Sequence, residues 1–141
     1  MASDYHDDWG SHIGDPLKFE GELIIRDNGP GKVFVFHILN SQPTGEDGFG
    51  EFAGDQVKLQ RTLKDGTIRM YKGTLDLSPK PPPPGIRKRI TGSFQDVKLR
   101  LDDEGKIKVH TRSPDDWVAN VPPPDPPDSS KRKRASKKSK K

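Results

Sequence analysis

Phe19-Glu20-Gly21-Glu22-Leu23-Ile24-Ile25-Arg26-Asp27-Asn28-Gly29-Pro30-Gly31-Lys32-Val33-Phe34-Val35-Phe36-His37-Ile38-Leu39 decides the fold. Two apolar runs of strand length flank Asp27-Asn28-Gly29-Pro30-Gly31, a cluster of residues that favour turns. In the first run, two-residue alternation places Phe19, Gly21, Leu23 and Ile25 on one face. The second run, Lys32 to Leu39, is apolar on both faces: Phe34, Phe36 and Ile38 on one, Val33, Val35 and Leu39 on the other. Such a strand is expected to be central and covered on both sides.

The same grammar continues downstream. A polar, Gly-rich loop from Asn40 to Gly50 precedes an element containing Phe49 and Phe52. Val57, Leu59 and Leu63 alternate up to Lys64-Asp65-Gly66, a hairpin signal, and Ile68 and Met70 resume after it. Tyr71, Leu75 and Leu77 then fall in the opposite phase, which predicts a bulge or a bend near Gly73. Ile86 to Phe94, Val97 to Leu101 and Lys106 to Thr111 complete the series, the last two joined by Asp102-Asp103-Glu104-Gly105. Helical spacing is absent from every long window. The fold expected is all-β, a single small antiparallel barrel or sandwich of about seven strands.

Three stretches share an apolar-x-Gly-x-apolar pattern: Phe19 to Leu23, Tyr71 to Leu75 and Ile90 to Phe94. In a strand the three flagged positions share a face, and the glycine can receive a large neighbouring side chain.

Charge divides the chain. Four aspartates and no Lys or Arg give residues 1–15 a charge of −4, and residues 16–113 carry 17 basic and 13 acidic side chains. Four aspartates give residues 114–130 another −4, and eight basic residues give 131–141 a charge of +8. The basic balance of +4 therefore belongs to the tail. With apolar residues scarce outside the middle, the expected organisation is an acidic flexible segment (1–15), the β domain (16–113), an acidic Pro-rich linker (114–130) and a disordered polybasic tail (131–141).

The tail residues Lys131, Arg132, Lys133, Arg134, Lys137, Lys138, Lys140 and Lys141 suit two roles: a nuclear-localisation signal read by an import receptor, with Lys131 to Arg134 at its centre, and an electrostatic arm for DNA or RNA phosphates. Ser136 lies in a basic context that kinases favour and is a candidate phosphosite. Arg87, Lys88 and Arg89 form a candidate basic patch on the domain. The run Pro81 to Pro84 cannot join a sheet ladder and is expected to project as a stiff loop.

Asp7-Asp8-Trp9 and Asp115-Asp116-Trp117 repeat one tripeptide, each tryptophan expected to seal the core while its aspartates stay in water. His6 and His12 with Asp4, Asp7 and Asp8 lack the spacing of a structured metal site, so no metal or cofactor is assigned. Absence of cysteine removes thiol chemistry and fits a reducing compartment. No run approaches a membrane span or a signal peptide. No nucleophile elbow, phosphate loop or dinucleotide fingerprint is present, and nothing selects a carboxylate pair such as Glu20 and Glu51 for glycoside chemistry. The functional expectation is a non-enzymatic nuclear adaptor or binding module, otherwise cytoplasmic, that engages a protein or nucleic-acid partner. The alternatives are a ligand- or carbohydrate-binding barrel lined by Phe34, Phe36, Tyr71 and Phe94, and a homo-oligomeric scaffold, with the tail serving only targeting or solubility.

Overall fold

The computed structural model describes residues 2–78 and 86–122. Ten strands follow one another: β1 (Asp7–Ile13), β2 (Lys18–Asp27), β3 (Lys32–Leu39), β4 (Gln42–Pro43), β5 (Gly48–Ala53), β6 (Gln56–Thr62), β7 (Ile68–Asp76), β8 (Lys88–Leu101), β9 (Ile107–Thr111) and β10 (Asp115–Val121). There is no helix among the described residues. The strands pair in the order β10-β1-β2-β3-β5-β6-β7-β8, all antiparallel, and β10 also pairs with β8, so eight strands close into a barrel. Closure removes the free sheet edges of a small all-β domain. β4 adds a short pairing to β3, and β9 pairs with the far end of β8 outside the barrel wall.

The closing strands lie outside the boundaries expected at residues 16 and 113. β1 is not a flexible segment and β10 is not part of a linker. Trp9, Ser11, Trp117, Ala119 and Val121 alternate inward and are fully buried or nearly so. Two of these five inward positions are Ser and Ala, and both strands begin with paired aspartates, so a burial pattern is present without an apolar run. Each tryptophan does seal the core: Trp9 Nε1 donates to the Tyr5 carbonyl at 2.9 Å, and the Trp117 ring lies 4.8 Å from that of Tyr71.

β3 corrects a second expectation. Val33, Val35 and His37 face the interior, whereas Phe34 and Phe36 stand on the outer surface and remain substantially exposed. In β7 the change of phase involves no bulge, because its register with β6 and β8 is unbroken. Arg69, Tyr71, Gly73 and Leu75 point inward, and Ile68 and Met70 are outer residues. Gly73 is needed for another reason: a Cβ there would lie 2.6 Å from Ile90 Cγ2 and 3.1 Å from Trp117 Cζ3. Two of the three glycine motifs are cross-strand partners, Tyr71 opposite Phe94, Gly73 opposite Gly92 and Leu75 opposite Ile90.

The register does shift between Ser11 and His12 of β1, which face Gly21 and Phe19 of β2 and leave Glu20 as an extra residue. Gly21 takes φ +123°, a conformation that favours glycine, and a Cβ on it would meet His37 Nε2 at 2.5 Å. This bulge reverses the local alternation. It turns Phe19 outward against His12, with ring centroids 5.3 Å apart, and carries the Glu20 carboxylate into the barrel.

Candidate functional site

The interior has two regions. Toward one end, Leu23, Ile25, Val33, Val35, Val57, Leu75 and Ile90 belong with Trp9 to one buried apolar cluster. Toward the other, charged groups converge on Glu20, whose side chain is 6% exposed. Arg61 Nη2 and Arg69 Nη1 donate to Glu20 Oε1 at 2.8 and 3.1 Å. Ser11 Oγ and Tyr71 OH donate to Oε2 at 2.6 and 2.8 Å. Ser11 Oγ in turn accepts from Trp117 Nε1 at 2.8 Å, and Tyr71 OH accepts from Arg61 Nε at 2.9 Å. Arg61 is also held by Glu46, and Arg69 by both oxygens of Asp96. Buried charges are tolerated when each is paired and hydrogen-bonded, as here.

Titration follows from this arrangement. Burial alone would push the Glu20 carboxyl up, but Arg61 beside it and the hydrogen bonds from Ser11, Tyr71 and Arg61 hold it below the usual carboxylate range. Burial, with the Glu20 charge added, drives Tyr71 well above its ordinary value. His37 is lowered by burial and by Arg61. Its Nε2 lies 2.8 Å from the Glu20 carbonyl, which can only accept, so Nε2 carries the proton and Nδ1 accepts from Thr44 Oγ1 at 2.8 Å. These groups saturate one another. Phe34 and Phe36 face outward and Phe94 packs against the core, so the four aromatics expected to line a ligand cavity do not meet inside the barrel.

The unsatisfied surface lies outside. A groove of about 530 Å³ crosses the outer face of β3, β5, β6, β7 and β8, with Pro114 in its lining. Register builds it from two rows. Phe34, Phe49, Gln60, Met70 and Gln95 are successive cross-strand partners, and so are Lys32, Glu51, Lys58, Lys72 and Ser93. The first row supplies two aromatic rings, a thioether and two amides; the second supplies three lysines, one carboxylate and a hydroxyl. Phe49 is 56% exposed, and Met70 stands two strands away on the same level. A shallower extension runs over the Gly73–Gly92 pair toward Thr74 and Thr91. No family model, curated protein or solved structure matches this chain.

Residues singled out from sequence are dispersed. Lys88 lies 5.4 Å from the Trp9 ring and pairs with Asp7 at 2.9 Å, closing the barrel end. Arg87 reaches the same carboxylate at 3.9 Å, and Arg89 Nε donates to Asn120 Oδ1 at 2.9 Å. The triplet is therefore partly neutralised and lies away from the groove. Glu20 and Glu51 face opposite sides of the wall. His6 Nδ1 accepts from the Asp27 amide at 3.0 Å, and among the described residues no three potential ligands gather. No helix of the described residues is long and apolar enough to cross a membrane. The proline run 81–84, the tail residues 131–134, 137, 138, 140 and 141, and Ser136 lie outside the described residues.

Sequence reasoning missed the groove because its rows cross five strands. Lys32, Lys58 and Lys72 share one level only through strand register. The Glu20 cluster was hidden by the bulge.

Proposed function

We propose that this chain is a non-enzymatic binding module whose outer groove takes single-stranded nucleic acid. The observation that carries the reading is the placement of Phe49, an exposed aromatic beside a row holding Lys32, Lys58 and Lys72 against one carboxylate, Glu51. A base stacks on an aromatic face whatever its identity, and lysines beside the ring follow the phosphates. Gln60, Gln95 and Ser93 offer donors and acceptors to base edges. The tail, with eight basic residues, adds sequence-independent attraction, and Lys131 to Arg134 serve nuclear import.

The barrel closes before residue 123, so a chain ending at Ser130 retains the groove without the tail. Anisotropy of a labelled oligothymidylate titrated with that shortened chain tests the reading. Phe49→Ala is expected to weaken binding roughly tenfold, from about 1–3 kcal/mol per stacked base, and Lys58→Glu to weaken it further. Equal affinity for the Phe49→Ala chain would refute the groove. For import, alanine at Lys131 to Arg134 should abolish nuclear accumulation; unchanged localisation would remove that role.

A further inference from the structure

Beyond Val97, β8 leaves the barrel and forms with β9 a two-stranded arm. Its turn is well made: Asp102 Oδ1 accepts from the amides of Glu104 and Lys106 at 2.9 and 2.8 Å, and Gly105 N donates to the Asp102 carbonyl at 2.9 Å. On one face Leu99 opposes Val109 and Leu101 opposes Ile107. These four are 56%, 60%, 71% and 68% exposed. The other face carries Lys98 opposite His110 and Arg100 opposite Lys108. A lone hairpin is marginal in water, and an uncovered apolar ladder on it signals a contact.

We infer that the arm is a self-association surface, on which two copies pack their apolar faces together antiparallel about a two-fold axis. Three features favour a second copy. First, the ladder is self-complementary, since side chains of two facing sheets interdigitate while both cationic faces remain in water, far from one another. Second, antiparallel packing brings the tip of each arm, with Asp103 and Glu104 exposed, to the root of the other, where Arg112 is exposed. The same acidic tip disfavours insertion into an anionic lipid surface. Third, four such side chains offer roughly 400 Å² of apolar surface per copy, which places the dimer at the weak, concentration-dependent end of specific interfaces. The association would present two grooves and two tails together, so that one strand of nucleic acid could engage both.

Sedimentation velocity of the full chain across a roughly hundredfold range of concentration, as suits a weak complex, reads the equilibrium directly. The wild type should shift from monomer to dimer, and Leu101→Lys should remain monomeric. Charge exchange keeps the test independent of folding defects. Asp103→Arg and Arg112→Asp each place like charges at both ends of the symmetric contact and should weaken dimerisation, whereas an equal mixture of the two variants restores opposite charges at both ends and should recover it. Wild type that stays monomeric throughout, a dimer that survives Leu101→Lys, or a mixture no better than either variant alone would overturn the inference. Nucleic-acid binding by the groove is read separately and can fail without affecting this result.

Discussion

Replacing Glu20 by Gln tests whether the charged cluster holds the barrel together. The change keeps the side-chain volume but removes the charge that faces Arg61 and Arg69, and it sets an amide donor against the Ser11 and Tyr71 hydroxyls. Removing one partner of a buried ion pair costs about 3–5 kcal/mol. Arg61 retains Glu46 and Arg69 retains Asp96, so the lower figure, about 3 kcal/mol, applies. For a domain of this size that loss lowers Tm by roughly 10–15 °C. Urea unfolding followed by the fluorescence of Trp9 and Trp117, both fully buried, measures it. Glu51→Gln, on the outer wall, should stay within about 0.5 kcal/mol of wild type. A Glu20→Gln loss below about 1 kcal/mol would show that the cluster is dispensable to stability and refute the reasoning.

Two further outcomes follow from the same interior. His37 is depressed from 6.5, and Glu20 and Glu46 from 4.5, so each contributes stability that is complete above its ordinary value and lost as pH falls. Stability should therefore decline in two stages, below pH 6.5 and again below 4.5, with His37→Gln reducing the first, to which His12, also lowered by burial, contributes the rest; a urea midpoint flat from pH 7 to 5 would contradict it. Gly73→Ala should destabilise the barrel by about 1–3 kcal/mol through overpacking against Trp117 and Ile90. Near-UV circular dichroism should register the displaced indole, and an unchanged spectrum and midpoint would show that the contact relaxes freely.

Much of the barrel was legible in sequence because alternation and turn chemistry are local. The Asp65-Gly66 hairpin, the Asp102 to Gly105 turn and the sealing role of both tryptophans all stand in the structure. Alternation gives the phase of a strand but not which phase is inside. In β3 the larger aromatics, Phe34 and Phe36, lie outside while Val33 and Val35 pack within, because Trp9, Trp117 and Tyr71 already fill the interior and leave the smaller branched side chains the space that remains. β1 and β10 escaped notice because strands that close a barrel can be short and half polar when Ser11 hydrogen-bonds inside and Ala119 fits against Ile90. Glu20 is the clearest limit: in strict alternation with Gly21 it faces water, and only a long-range register shift against Ser11 reveals that it is the centre of the interior.

The most direct measurement is the affinity of the full chain and of the chain ending at Ser130 for one single-stranded oligonucleotide, each across a salt series. If the groove is the site, the shortened chain keeps measurable affinity with a log–log slope near about −2, from three lysines at about 0.7 each, and the full chain steepens toward about −8 as eight tail charges join. Phe49→Ala then weakens both chains by a similar factor. Binding that vanishes with the tail, leaving the barrel inert at low salt, would contradict the proposed site.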